Sequence, residues 1–174
     1  MKIITSTFIA ALFALSGTSA LAQSAVPNDA QIAAIVVAAN TVDIDAGKLA
    51  EKQAQNQEVQ AFAKLMVTDH TGVNKQATAL VKKLNVTPEE NATSKKLKAD
   101  GDATITRLKD LKGAAFDKAY IDNEVTYHQA VIDVLDKTLI PNAKNAELKD
   151  TLVKVRPAFV AHLEHAKQIQ AKLK

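Results

Sequence analysis

From residue 29 onwards the apolar residues recur at intervals of three and four, the spacing of helices that bury one stripe each. Ile32, Ile35, Val36, Ala39, Val42, Ala46 and Leu49 form the first stripe and predict a helix over about 29–54. Asn56 is a good N-cap for a second helix whose stripe runs Val59, Phe62, Met66, Val73, Ala77, Leu80, Leu84. Thr87-Pro88-Glu89-Glu90 reads as a third helix start: Thr87 as cap, Pro88 in the first turn, Glu90 closing a capping box. That helix is thinly apolar, carrying Leu97, Ile105, Leu108 and Leu111, and Gly113 is its expected stop. A fourth helix is expected over about 115–139, ended by Pro141, with Ile121, Val131, Ile132, Leu135 and Leu139 inward. Asn145 caps the last helix, whose stripe of Leu148, Leu152, Val155, Phe159, Ala166, Ile169 and Leu173 is the most regular. Its one gap is filled by His162, and Pro157 is expected to kink it. No segment alternates with period two. The fold class this predicts is all-α: four long antiparallel helices in an up-down bundle, with a shorter connecting helix.

The segment before Asp29 breaks the pattern. Lys2, an apolar run from Ile3 to Leu15 and small residues ending Ala20-Leu21-Ala22 make a secretory signal peptide over residues 1–22, cut between Ala22 and Gln23. The apolar run is too short to cross a bilayer, which takes about 20 residues. Residues 23–28 read as a linker and 29–174 as the helical domain. A periplasmic or secreted location follows, with no transmembrane segment after cleavage. Cleavage also takes the net charge from +3 to +2, with the loss of Lys2. That charge argues against nucleic acid as a partner; Lys82-Lys83 and Lys95-Lys96-Lys98 are interrupted by acids and read as solvated faces. With no cysteine, disulfides and thiolate ligands are excluded.

Candidate chemistry lies on the apolar stripes. Asp43 is four past Ala39, His70 four past Met66, Glu124 three past Ile121, and His128 three before Val131; with His162 these face inward. Such groups are costly to bury without partners. Residues equidistant from a turn lie level in antiparallel helices. Asp43 and His70 stand almost equally far from the cap Asn56, one on each side of it, and His128 and His162 stand equally far from Asn145. Asp43, His70, His128 and His162 therefore converge if the hairpins dock at matching heights. Three imidazoles and a carboxylate suit a first-row metal such as zinc, copper, nickel or iron. Asp69 is a second-tier candidate to orient His70 or another ligand. Glu124 and His165, again almost equidistant from Asn145, are a second-tier pair, although His165 reads more readily as a surface residue. Tyr127 reads as packing and Asp45 as solvent-facing.

Several stretches carry a family resemblance: residues 42–50, residues 59–63, Met66-Val67-Thr68-Asp69-His70, residues 116–121 and on to His128, then Pro157 and His162. On these the chain resembles the bacterial ferritin-like family called domain of unknown function 4142, often labelled periplasmic or outer-membrane proteins, over nearly the whole mature length. The resemblance implies a ferritin-like four-helix bundle, an association with the outer membrane, and no established activity. The family usually has Glu at the place of Asp43 and often Asp at the place of Tyr127. The di-iron pattern of paired Glu-x-x-His motifs is not met, because Glu124 and His128 are four apart.

The leading expectation is a metal-binding protein, a buffer or stress protein, working through the inward cluster. The competing one is a structural or interaction module whose polar core fixes helix register without metal. An oxidase or hydrolase ranks last, since no nucleophile motif, phosphate loop or dinucleotide fingerprint appears; the sequence leaves catalysis open and weighs against it.

Overall fold

The computed structural model describes residues 26–173. The expected signal peptide of residues 1–22, residues 23–25 of the linker and the final Lys174 lie outside the described residues. Every regular element among those described is helical: α1 Asp29–Gln53, α2 Gln57–Lys83, α3 Ala92–Lys109, α4 Gly113–Val134, a π-helical turn Leu135–Leu139, the single turn α5 Ile140–Asn142, and α6 Ala146–Lys172. No described helix is long and apolar enough to cross a membrane. The long helices α1, α2, α6 and α4 each pack against two of the others around a shared interior, and α3 lies along α1.

Two caps stand where the sequence placed them: Asn56 accepts from the Glu58 and Val59 amides, and Asn145 from that of Leu148. Three expectations are corrected. The third helix does not start at Thr87-Pro88; its N-cap is Asn91, in a reciprocal capping box with Ser94. The segment before it is held extended, because the Glu89 amide donates to Ala30 O (3.0 Å) and Asn91 Nδ2 to Gln31 O (3.3 Å). A local cap signal lost to contacts with α1. Gly113 does not stop α3, which ends at Lys109; with φ +58° it is the first residue of α4, in a backbone region glycine enters freely. Pro141 does not end the fourth helix at Leu139. The π turn widens the helix, with the Ile140 amide bonding Leu135 O, so the chain continues through Pro141 to Asn142, whose side chain donates to Thr138 O (2.7 Å). α6 runs unbroken through Pro157.

The hairpins α1–α2 and α4–α6 repeat one plan. Each turns through Ala-x-Asn-x-Glu, at residues 54–58 and 143–147. The turn of each is tied to the other hairpin by an aspartate. Asp117 of α4 accepts from the Gln55 and Asn56 amides (3.0 and 2.8 Å), and Asp29 of α1 from those of Lys144 and Asn145 (2.8 and 2.9 Å). Each aspartate supplies two acceptors to backbone donors that no helix satisfies. These four bonds set the relative height of the hairpins.

The interior is layered. One apolar cluster gathers Phe62, Met66, Phe116, Tyr120, Ile121 and Ile169. The other gathers Ile32, Ile35, Ile132, Leu135, Leu152 and Leu163. Along α1, α2, α4 and α6 the buried polar side chains Asn40, Asp43, His70, Glu124, His128 and His162 fall between the two. α1 is buried on more than its predicted stripe, with Ala33, Ala34, Ile44 and Gly47 also covered: Gly47 lies against Ala63 and Val67 of α2, and α3 lies along α1 as well.

Candidate metal centre

All four residues expected to converge do so. Asp43 comes from α1, His70 from α2, His128 from α4 and His162 from α6, each buried, with 5 % or less of its surface exposed. The three imidazole rings lie 5.3–5.6 Å apart between centroids. Asp43 Oδ2 stands 3.1 Å from His70 Nε2 and 3.5 Å from His128 Nε2. Glu124 joins them, its Oε2 3.4 Å from His128 Nδ1. Two sets of ligand atoms each lie within 4.8 Å of one another: His70, His128 and His162; and Asp43, Glu124 and His128.

The hydrogen bonds around the rings fix their tautomers. Asn40 Nδ2 donates to Val36 O, so its Oδ1 is free to accept from His70 Nδ1 at 2.7 Å. The carbonyl of Glu124 can only accept, so His128 Nδ1 donates to it at 3.0 Å. Asp69 Oδ2 accepts from His162 Nε2 at 2.9 Å. Each imidazole thus spends one N–H on an oxygen outside the cluster and keeps a lone pair on the other nitrogen. Those three nitrogens, His70 Nε2, His128 Nε2 and His162 Nδ1, are buried and make no hydrogen bond, and neither does either oxygen of Asp43. Asp43 Oδ2 stands 3.1 Å from the His70 Nε2 lone pair and can bond it only by donating a proton. Buried polar groups normally find partners, and leaving one without costs about 1–3 kcal/mol. With Glu124 Oε2 these make six such atoms in one layer, grouped as His70, His128 and His162 and as Asp43, Glu124 and His128.

That donor set fits a metal. Histidine ligands ordinarily give their second N–H to a carbonyl, carboxylate or amide oxygen, which holds the ring and raises its basicity; all three rings do so here. A tetrahedral zinc with bonds of about 2.1 Å sets its ligand atoms roughly 3.4 Å apart, close to the two Asp43–imidazole separations.

Electrostatics agree. Burial, reinforced by Glu124, raises the Asp43 carboxyl well above its ordinary range. Burial pushes Glu124 up to about 8. Burial, then repulsion from His128 and His162, takes His70 down to about 2. Burial likewise lowers His162, against the opposing pull of Asp69. A cation bound in the layer would favour ionised Asp43 and Glu124 and neutral His70 and His162.

The second-tier residues separate. Glu124 belongs to the cluster itself. Asp69 holds His162, across the interface, rather than its neighbour His70. His165 does not pair with Glu124: it is exposed, edge-on to Phe62 at 5.2 Å. This is the surface position that the sequence favoured, because three residues from His162 turn a helix about 60° short of a full circle, and Leu163 and Ala166 take the inward positions there. Asp45 is exposed, with Lys48 3.4 Å away. The Tyr127 hydroxyl donates to Ala39 O at 2.8 Å. Two contributors escaped the sequence reading. Asn40 was legible, being four past Val36 on the α1 stripe. Phe159, packed on His70 at 5.0 Å, looked like ordinary core.

The sequence pattern of the family described as Domain of unknown function (DUF4142) matches residues 14–169. The chain belongs to that family. Neither a curated protein nor a solved structure matches it. Membership in DUF4142 names no activity, so the chemistry rests on the layer just described.

Proposed function

We propose that this chain is an exported, periplasmic protein with a ferritin-like antiparallel four-helix bundle that holds one first-row transition metal ion, as a metal buffer or stress protein. The observation that carries the reading is the set of three imidazoles, each committed outward through one nitrogen and unpartnered at the other, around an unpartnered Asp43 carboxylate. His70 Nε2, His128 Nε2, His162 Nδ1 and Asp43 are the proposed ligands, with Glu124 as a neighbouring carboxyl that can join or hold a proton. Such a mixed nitrogen and oxygen set suits zinc, copper, nickel or iron. The side chain of Asp69 is 39 % exposed while that of His162 is 6 % exposed, so the outer partner of one ligand meets solvent and offers an entry path. Export rests on the sequence of residues 1–22, and the bundle assignment on the way α1, α2, α4 and α6 surround the site.

The test is metal analysis of untagged mature protein, followed by titration with each of the four metals. About one equivalent bound, lost in His70→Ala and His128→Ala variants that still fold, is the expected result. Protein that takes up none of these metals, with a melting temperature indifferent to all of them, would leave the polar layer as a structural network that sets helix register.

A further inference from the structure

A second feature lies beside the polar layer and does not depend on any metal. α3 packs tightly on α1 at one place, where a Cβ on Gly101 would stand 2.7 Å from Val42 Cγ2. It is held to α1 at both ends, through Asn91 to Gln31 O and through Gln53 to Leu108 O. It touches α4 only sparsely. The space left between α1, α3 and α4 is a cavity of about 260 Å³. Val36, Leu97, Val131 and Leu135 are among its apolar walls, and its inner end is closed by Asn40 and Phe159, the residues that also back onto His70. Towards solvent the lining turns polar but stays uncharged, with Thr93, Thr104, Asn123 and Thr126. Among the described residues Asp100 is the one charged member of the lining, and Lys96 pairs with it at 2.8 Å.

We infer that this cavity binds a small neutral amphiphile: an apolar body inside, and an uncharged hydroxyl-like end among the threonines and Asn123. Size and polarity argue for it. An apolar cavity of about 150 Å³ already takes benzene, so this one admits a longer alkyl chain or a substituted ring. Ligand pockets pair apolar walls with a few polar groups at one end, and hydroxyl and amide side chains can both donate and accept. A carboxylate end finds no cation among the described lining residues, where the one charge, Asp100, is already paired with Lys96, so its desolvation is left uncompensated.

The experiment uses the mature chain, metal-free and as isolated, with 1-octanol as probe and octanoate as its charged counterpart. The expected result is saturable binding of 1-octanol that raises the melting temperature and shifts the backbone amide resonances of Leu97, Gly101 and Val131. Filling the space with Val131→Phe or Leu97→Phe should weaken binding by about ten-fold or more, and octanoate should bind at least about ten-fold more weakly than the alcohol. The amide map needs no variant, so it decides the location even if one variant fails to fold. No saturable binding of 1-octanol overturns the proposal, as do shifts confined to residues outside the cavity, or filled variants that bind as well as the unaltered protein. Octanoate binding as tightly as the alcohol overturns the neutral-ligand assignment. Because the metal-free protein is tested too, failure here is distinct from failure of the metal site.

Discussion

His162 differs from the other two imidazoles in how it is held. His70 and His128 are fixed from inside the fold, by Asn40 and by the carbonyl of Glu124. His162 is fixed by Asp69, a half-buried carboxylate on the facing helix. Removing a partner of this kind typically costs about 10–100-fold in metal affinity while leaving the ligand in place. Asp69→Ala is therefore expected to weaken binding by about that factor, with the helical circular dichroism spectrum unchanged. Competition against a chromogenic chelator reads it directly. Affinity equal to that of the unaltered protein would mean that His162 is not a ligand. Asn40 and Asp69 also show where legibility stopped at this scale. A polar residue on an apolar stripe can be read from spacing, as Asn40 could have been. Which ring Asp69 would reach could not, because the nearest histidine in sequence is the wrong one.

At the scale of elements, close packing and open surface predict opposite outcomes for one substitution. Gly47 lies where α1 meets α2; a Cβ there would stand 2.9 Å from Val67 Cγ2 and 3.1 Å from the backbone oxygen of Ala63. The side chain can move, but the backbone oxygen can do so only if α2 shifts. Overpacking of about 1–3 kcal/mol should outweigh the helix-propensity gain of about 1 kcal/mol, so Gly47→Ala destabilises. Gly72, on α2, would meet nothing within 4 Å, and Gly72→Ala should stabilise by about 0.5–1 kcal/mol. Urea unfolding of the pair checks both signs; a stabilised Gly47→Ala would mean that the α1–α2 contact is looser than described. The repeated hairpin plan operates at this scale as well. His70 and Phe159 stand at the same place past their caps, Asn56 and Asn145, while Val73 and His162 share the inward place that follows. The two halves of the plan thus put imidazoles at alternate positions, and the centre they form is unsymmetrical.

For the whole molecule the consequence is a pH dependence that changes with metal. In the metal-free protein Glu124, pushed up to about 8, and Asp43, raised by burial, keep protons when folded that they lose when unfolded, so stability falls as pH climbs above their ordinary values. His70, held down to about 2, and His162, lowered in the same direction, refuse protons when folded that they take below 6.5 when unfolded, so stability also falls as pH drops below 6.5. Between 4.5 and 6.5 the two pairs oppose each other, and the metal-free melting temperature should be nearly flat there, then decline towards pH 8. A bound metal keeps the imidazoles neutral and favours ionised carboxylates, which removes the decline. Addition of a strong chelator to metal-loaded protein should lower the melting temperature at about pH 7.5 and change little at about pH 5, where protonation already competes for the ligands. Equal chelator effects at both values, or none at pH 7.5, would contradict the site.

The helical class, the caps at Asn56 and Asn145, and the level pairing of Asp43 with His70 and of His128 with His162 were determined by the sequence alone; that the two pairs meet was not. Each depends on a fixed rise and turn per residue, and a regular helix carries that arithmetic over many turns. Thr87-Pro88 was misread because distant bonds to Ala30 O and Gln31 O decide the α3 start, and Pro141 because a local π turn carries the helix past Leu139. Only the tertiary structure could bring Asn40, Glu124 and Asp69 to their partners and leave a cavity under α3. Those outcomes depend on how whole helices are rotated and set in height against one another. That setting is made by Asp29 and Asp117, each bonding a turn in the other hairpin, across sequence separations that no local pattern records.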